Sequence, residues 1–119
     1  MADMTGRLHG IVIDCPDPGA LAAFYEKLLG FIRVQDEGAW VVIGDAPDRP
    51  GIGFQQVDSL AVPEWPAHSA QLHLDIRVDD LDEAQTLVEG LGARQLKGGG
   101  NNFRVFADPA GHPFCLTAF

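Results

Sequence analysis

The sequence contains an internal repeat, with two similar stretches that lie about sixty residues apart. Residues 8–13 (LHGIVI) precede an Asp-Pro pair and a helical pattern, and residues 72–78 (LHLDIRV) precede two aspartates and a second helical pattern. The repeat aligns His9 with His73, and it aligns the two glycines that follow the helical patterns. A chain of 119 residues is therefore expected to form one domain, residues 1–119, made of two related modules.

Each copy has clear signals for the start and end of a helix. Asp17 and Pro18 favour a start, and Gly30 favours an end. In the second copy Asp80 and Glu83 have capping-box spacing, although the box normally has Ser or Thr first, and Gly92 is the predicted end. Apolar residues with helical spacing predict the buried faces, which are Leu21, Phe24, Tyr25, Leu28 and Leu29 in the first helix and Leu81, Ala84, Leu87, Val88 and Leu91 in the second.

Short β-rich runs follow each helix. They span residues 31–35, 39–43 and 52–57 in the first copy and 93–97, 102–107 and 113–118 in the second. The glycine-rich run 98–102 is a hairpin-loop candidate, and it is a weak phosphate site because no helix follows it. The sequence therefore predicts an α+β fold of two tandem β-α-β-β-β modules, at about residues 7–58 and 71–119, joined by a connector at about 59–70.

Charge and cysteine content exclude several classes of function. Eight Lys and Arg against 17 Asp and Glu give a formal charge of −9, which repels nucleic acid and anionic membranes, so neither is an expected partner. No apolar stretch approaches the roughly 20 residues that span a bilayer, and no signal region opens the sequence, so a cytoplasmic location is expected. Cys15 and Cys115 lie outside any CxxC spacing and are most simply buried apolar residues.

Two histidines are candidates for a metal site. If the modules are related by a pseudo-twofold axis, His9 and His73 could converge on one cleft and suit a divalent metal. Alternatively, each histidine is a hydrogen-bonded structural residue of its strand.

Asp75 and Arg104 are the candidates for catalysis. Asp75 and Arg77 alternate with His73, so Asp75 either orients the imidazole or acts as a base, or it forms an ordinary pair with the arginine. Arg104 lies in the second copy's β-rich run 102–107 and either binds an anionic substrate or faces solvent.

Aromatic residues and one further histidine have more ordinary interpretations. Four aromatic side chains could line an apolar cleft for a planar ligand or belong to the core: Trp40, Phe54, Trp65 and Phe106. His112 is expected to help close the turn into the last strand.

These motifs together resemble a known superfamily. The Leu-His pair that opens each copy, the run DPGALAAFYEKLLGF at 17–31 and the run DPAGHPFCL at 108–116 resemble the vicinal oxygen chelate superfamily. The resemblance is to its glyoxalase-like branch, in the group of glyoxalases, bleomycin-resistance proteins and extradiol dioxygenases. It covers about residues 8–116 and implies an open, barrel-like cleft and a homodimer.

The resemblance also implies a metal-ligand set. It assigns His9, Gln55, His73 and Cys115 to the four ligand positions, with Gln56 as the register alternative on the fourth strand. At Cys115 the metal-dependent members have a glutamate. This lost carboxylate argues against glyoxalase I activity, which needs poised bases, and against extradiol cleavage by a 2-His-1-carboxylate iron site.

Two functions remain open at this stage. One is a metal-dependent lyase or isomerase acting on a small oxygenated molecule, with zinc, nickel, manganese or iron as its divalent metal. The other is a metal-free protein that sequesters a small hydrophobic or antibiotic-like compound. Asp75 and Arg104 are the catalytic candidates under the first, and a small molecule is the expected partner under both.

Overall fold

The computed structural model describes residues 8–59 and 72–119, and the chain divides into two compact units. Unit 1 is Met1–Asp58 and unit 2 is Ser59–Phe119. Within the described residues, each unit contains one four-stranded sheet and one helix. The α+β class and the tandem β-α-β-β-β order are therefore confirmed. In the described part of the chain, no helix is long and apolar enough to cross a membrane.

Unit 1 has its first and last strands side by side. Its elements are β1 (Ile11–Cys15), α1 (Pro18–Leu29), β2 (Ile32–Asp36), β3 (Trp40–Ala46) and β4 (Arg49–Gln56). The strand order is β1-β4-β3-β2, in which β1 runs parallel to β4 and the other pairs are antiparallel. A parallel neighbour requires a long crossover connection, and α1 with the β2–β3 hairpin provides it.

Helix α1 begins and ends where the sequence predicts. The Asp17 carboxylate accepts a hydrogen bond from the Ala20 amide at 3.2 Å, and Gly30 ends the helix in the left-handed region, at a φ of 70°. The helix buries Phe24 and Tyr25, and the Tyr25 ring stacks on Phe54 of β4 with centroids 5.9 Å apart. This contact joins the helix to the centre of the sheet.

An ion-pair network ties β2 to α1. The Arg33 guanidinium binds Glu26 at 2.8 Å and Asp36 at 3.0 Å, and it donates to the Gly19 carbonyl at 3.1 Å. The hydrogen bond with Glu26 is the largest cause that raises the Arg33 pKa. The pKa of Asp36 is lowered, first by the Gly38 amide that donates to its carboxylate and then by Arg33.

Unit 2 repeats this topology with shorter elements. They are β5 (Leu74–Arg77), α2 (Leu81–Gly90), β6 (Arg94–Gln95), β7 (Phe103–Ala107) and β8 (Pro113–Thr117). The strand order is β5-β8-β7-β6, with β5 parallel to β8. The loop between β6 and β7 contains the glycine-rich run, and the Gly100 amide donates to the Phe103 carbonyl at 3.0 Å, as a hairpin loop requires.

Helix α2 departs from the prediction at its end and on its buried face. Asp80 caps it by accepting from the Glu83 amide at 3.0 Å, but the helix ends at Gly90 with Leu91 as its cap, one residue before the predicted cap Gly92. Val88 is its buried residue, whereas Leu87 is 48% exposed. Helical spacing marks an apolar stripe, but the neighbouring strands determine how much of that stripe is covered.

The structure also locates the first strand and the aromatic candidates Phe54 and Phe106. Strand β1 begins at Ile11, where its ladder with β4 starts at the Ile11–Ile52 pair, so His9 lies just before the strand. Phe54 and Phe106 are fully buried, and Phe106 stacks on Phe114 with centroids 5.8 Å apart, so both belong to the core and not to a cleft. Trp65 lies outside the described residues.

Candidate functional site

Three side chains with metal-binding atoms meet at the first and last strands of unit 2. The parallel ladder places Asp75 of β5 directly opposite Cys115 of β8. His73 immediately precedes β5, and its Nε2 lies 3.2 Å from Oδ1 of Asp75. One ligand atom from each residue lies within 4.8 Å of the other two. We call these three residues the His-Asp-Cys cluster.

The cluster combines one buried sulfur with two accessible ligands. The Cys115 side chain is buried, whereas the side chains of His73 and Asp75 are 39% and 57% exposed. Burial is the main cause that raises the pKa of Cys115, and the negative charge of Asp75 raises it further. The thiol is therefore protonated near neutral pH, and a cation placed between it and Asp75 would favour the thiolate.

The donor set fits a divalent metal ion. Imidazole nitrogen, carboxylate oxygen and thiolate sulfur are all ligands of zinc, and three protein ligands leave a fourth tetrahedral position for water or substrate. A sulfur donor disfavours magnesium and calcium, which take oxygen ligands. Within residues 8–59 and 72–119, this is the one group of three or more His, Cys, Asp or Glu side chains whose ligand atoms lie this close together.

The cluster contains one residue that sequence reasoning placed in a different role. The family resemblance assigned ligands to His73 and Cys115, and the structure brings these two together. Asp75 was expected to orient the imidazole or to act as a base, and it is found beside both candidate ligands. The missing signal was the register of β5 against β8, which places the aspartate opposite the cysteine.

The structure does not bring Arg104 to the cluster. Arg104 pairs with Leu116 on β8, the neighbour of Cys115, so it lies on the opposite face of the sheet. Its guanidinium donates to Asp82 and Gln85 of α2, at 2.8 Å in each case. Both hydrogen bonds fasten the helix to the sheet, and the guanidinium is not directed to the face that holds the thiol.

The turn before β8 is closed by Asp108 and His112, as the sequence predicts for the histidine. The Asp108 carboxylate is fully buried and accepts from the amides of Ala110 at 2.9 Å and His112 at 3.0 Å. Nδ1 of the His112 ring lies 2.9 Å from its second oxygen. These contacts stabilise the turn that leads into β8, which begins at Pro113 and contains Cys115.

The remaining predicted ligands lie in unit 1. His9 precedes β1 by two residues and lines a cavity of about 240 Å³ with Trp40 and Gly53. Gln55 is exposed on β4, opposite Asp14 of β1. The register alternative Gln56 uses its side-chain amide to donate to the Pro16 carbonyl at 3.3 Å.

Comparison with known families decides the classification. The glyoxalase-like domain family matches residues 10–117, which is nearly the whole chain. The chain belongs to this family. The predicted membership of the vicinal oxygen chelate superfamily is thereby confirmed.

Solved structures share the fold of this glyoxalase-like domain at low sequence identity. A glyoxalase/bleomycin resistance protein/dioxygenase family enzyme from Burkholderia phytofirmans is 16% identical, with a TM-score of 0.70, and the match covers 92% of this chain and 96% of that one. The fosfomycin resistance protein FosX from Mesorhizobium loti is 17% identical, with a TM-score of 0.70 and coverages of 98% and 94%.

A third structure contains a metal. A mutant of FosX from Listeria monocytogenes, complexed with Mn(II) and 1S,2S-dihydroxypropylphosphonic acid, is 19% identical, with a TM-score of 0.73 and coverages of 97% and 91%. A search of curated proteins finds no match. At these identities the likeness establishes the tandem-module fold of the glyoxalase-like domain, and its chemistry must be argued from its own residues.

Proposed function

We propose that this glyoxalase-like domain binds one divalent metal ion through His73, Asp75 and Cys115 and acts with it on a small oxygenated molecule. The observation that supports this proposal is the His-Asp-Cys cluster, whose ligand atoms lie within 4.8 Å of one another. The reaction class that we propose is that of a lyase or isomerase. A metal held there would act as a Lewis acid on an oxygen of the substrate.

The cluster compensates in part for the carboxylate that β8 lacks. Where the metal-dependent relatives are expected to place a glutamate, this chain has Cys115, and Asp75 supplies a carboxylate from the neighbouring strand. A thiolate is a softer donor than a carboxylate and favours zinc over manganese. We therefore propose zinc as the preferred ion, and we retain the prediction that the reaction is neither that of glyoxalase I nor extradiol cleavage.

The chain's own residues have distinct tasks in this proposal. Asp75 lies within 3.2 Å of the His73 ring and orients the imidazole until the metal binds. Cys115, which is buried, would hold the ion at β8 and would give up its proton to bind it as the thiolate. His9 and Gln55 stay predicted ligands on the strength of the family resemblance.

A second candidate function is metal-free binding of a small hydrophobic molecule. The apolar cavity in unit 1, which is described within that unit alone, favours this alternative. We also propose that the protein is a cytoplasmic homodimer with a small molecule as its partner. Light scattering coupled to gel filtration tests the dimer, for which a mass of 12.8 kDa would indicate a monomer.

Metal titration separates the two functions. The purified protein, kept reduced, is analysed for metal and titrated with Zn(II), Ni(II), Mn(II) and Fe(II) by calorimetry. We expect about one equivalent of zinc per chain, bound more tightly than manganese. With Co(II) as a probe, a sulfur-to-metal charge-transfer band would report ligation by Cys115.

Variants then assign the ligands. His73→Ala, Asp75→Asn and Cys115→Ser should each weaken zinc binding by at least about tenfold, which is the lower limit found for outer-shell partners alone. Asp79→Asn, an exposed aspartate just beyond β5, and Cys15→Ala, the other cysteine, are the matched controls. Zinc binding that is absent, or equally weakened in the controls, would refute the metal site and leave the metal-free function.

A further inference from the structure

A cavity of about 240 Å³ lies against the sheet of unit 1, and it is lined by residues from β1, β3 and β4 together with His9. We propose that it binds a flat, neutral, apolar ring system of a small molecule and that Trp40 is the residue that selects it. This inference rests on the second proposed function, the metal-free binding of a small hydrophobic molecule, because it names the class of molecule that the domain takes. It concerns unit 1 alone.

The size of the cavity sets the size of the ring system. An engineered apolar cavity of about 150 Å³ accommodates benzene. A volume of about 240 Å³ therefore has room for one further fused ring. A single small hydroxylated fragment would leave much of this space unfilled, and unfilled apolar space forfeits contact energy.

The chemistry of the lining indicates an uncharged ligand. Among the described residues that line the cavity, the side chains are apolar except for His9, and none belongs to Asp, Glu, Lys or Arg. Val12, on the cavity side of β1, is 51% exposed, which is unusual for a β-branched residue in a sheet. A charged group would lose its hydration here without gaining a partner, whereas an aromatic ring would cover the exposed valine.

The Trp40 indole forms one wall of the cavity and lies directly against Gly53. Gly53 lies in the interior of β4, and a Cβ built there would be 2.5 Å from Cη2 of Trp40 and 3.1 Å from two further ring carbons. Only a residue without a side chain lets the indole lie this close to the strand. The indole is thereby available as a flat surface on which another ring can stack.

The test uses 2-naphthol, a neutral two-ring molecule, titrated into the full chain by calorimetry. Trp40→Ala removes the stacking surface, and Gly53→Ala pushes the indole away from the strand. We expect each to weaken binding by about tenfold, the scale of a lost aromatic stacking partner together with its buried area. Trp40→Phe should retain most of the affinity, and it tests the ring without emptying the site.

The control for the glycine variant is Gly90→Ala at the end of α2. A Cβ at Gly90 meets no atom within 4 Å, so this change adds the same methyl group without a clash. Circular dichroism checks that every variant is folded. Equal affinity in wild type, Trp40→Ala and Gly53→Ala would overturn the proposal, and so would the absence of binding to the wild-type protein.

A further pair of variants keeps the two proposals distinguishable. His73→Ala and Cys115→Ser should bind 2-naphthol as the wild type does, because the cavity is lined by unit 1 residues. If zinc binding fails but 2-naphthol binding depends on Trp40, the metal site is wrong and the ring site stands. If zinc binds but the affinity for 2-naphthol is the same in Trp40→Ala as in the wild type, the ring site alone is wrong.

Discussion

The Asp108 carboxylate is expected to be the largest single polar contribution to the stability of unit 2. It is fully buried and accepts two backbone amide hydrogen bonds, at 2.9 and 3.0 Å, in addition to the contact with the His112 ring. A hydrogen bond to a charged group is worth about 1.5 kcal/mol at the low end. We use the low end because Ala110 and His112 are only half-buried, so water can replace part of what is lost.

Asp108→Ala should therefore lower the free energy of unfolding by about 4 kcal/mol, about 3 from the two amide bonds and about 1 from the contact with the His112 ring. Asp108→Asn keeps an oxygen that can accept both amide bonds and loses only their charge assistance, so its cost should be about 1 kcal/mol. His112→Ala removes the ring contact and leaves the amide bonds, which predicts a loss of about 1 kcal/mol.

Urea unfolding at equilibrium measures these differences, with unchanged slopes as the check that the free energies can be compared. Asp79→Ala, an exposed aspartate, serves as the control and should change stability by less than about 0.5 kcal/mol. The reasoning is refuted if the alanine and asparagine variants of Asp108 cost the same, because the amide bonds would then contribute nothing.

Two further predictions follow from ion pairs. The lowered pKa of Asp36 means that its stabilising effect is present above its ordinary pKa of 3.8 and is lost as the pH falls through the lower folded value. Asp36→Asn should therefore reduce the loss of stability as the pH is lowered from about 5 to 2. The urea midpoint at each pH measures this, and a pH dependence equal to that of the wild type would contradict it. Arg104→Met should lower the free energy of unfolding by about 1 kcal/mol, because the guanidinium binds Asp82 and Gln85 of α2. Zinc affinity should not change. A loss of zinc affinity at full stability would show that Arg104 acts at the metal site.

The sequence was sufficient for the helix starts and for the order of the elements. Asp17 and Asp80 cap the helices through bonds to amides three residues ahead, which is a local interaction that spacing reveals. The end of α2 was misplaced by one residue, because Leu91 is its cap and Gly92, which has a φ of 106°, comes after that cap. Local signals identify a break in the chain more reliably than the residue at which the hydrogen bonds stop.

The composition of the candidate site could not be predicted, because it depends on how β5 pairs with β8. Alternation places Asp75 on the face of His73, but only the register between β5 and β8 places it opposite Cys115. The same limit explains Arg104, whose partners on α2 could be known only once the helix was seen to lie over its face of the sheet. The exposure of Leu87 has a similar cause, because periodicity cannot tell how far a neighbouring element extends.

The parallel pairing of first and last strands has a consequence for the order in which the protein forms. In each unit the partners, such as Ile11 with Ile52 or Asp75 with Cys115, are separated by about forty residues, whereas the antiparallel hairpins join near neighbours. Closing so long a loop is slow, so the hairpins should form first and the outer strand should dock last. A metal ion bound by the cluster would stabilise the docking of β5 on β8, which is the last step in the folding of unit 2. It would therefore slow the unfolding of unit 2 more than it would speed its folding.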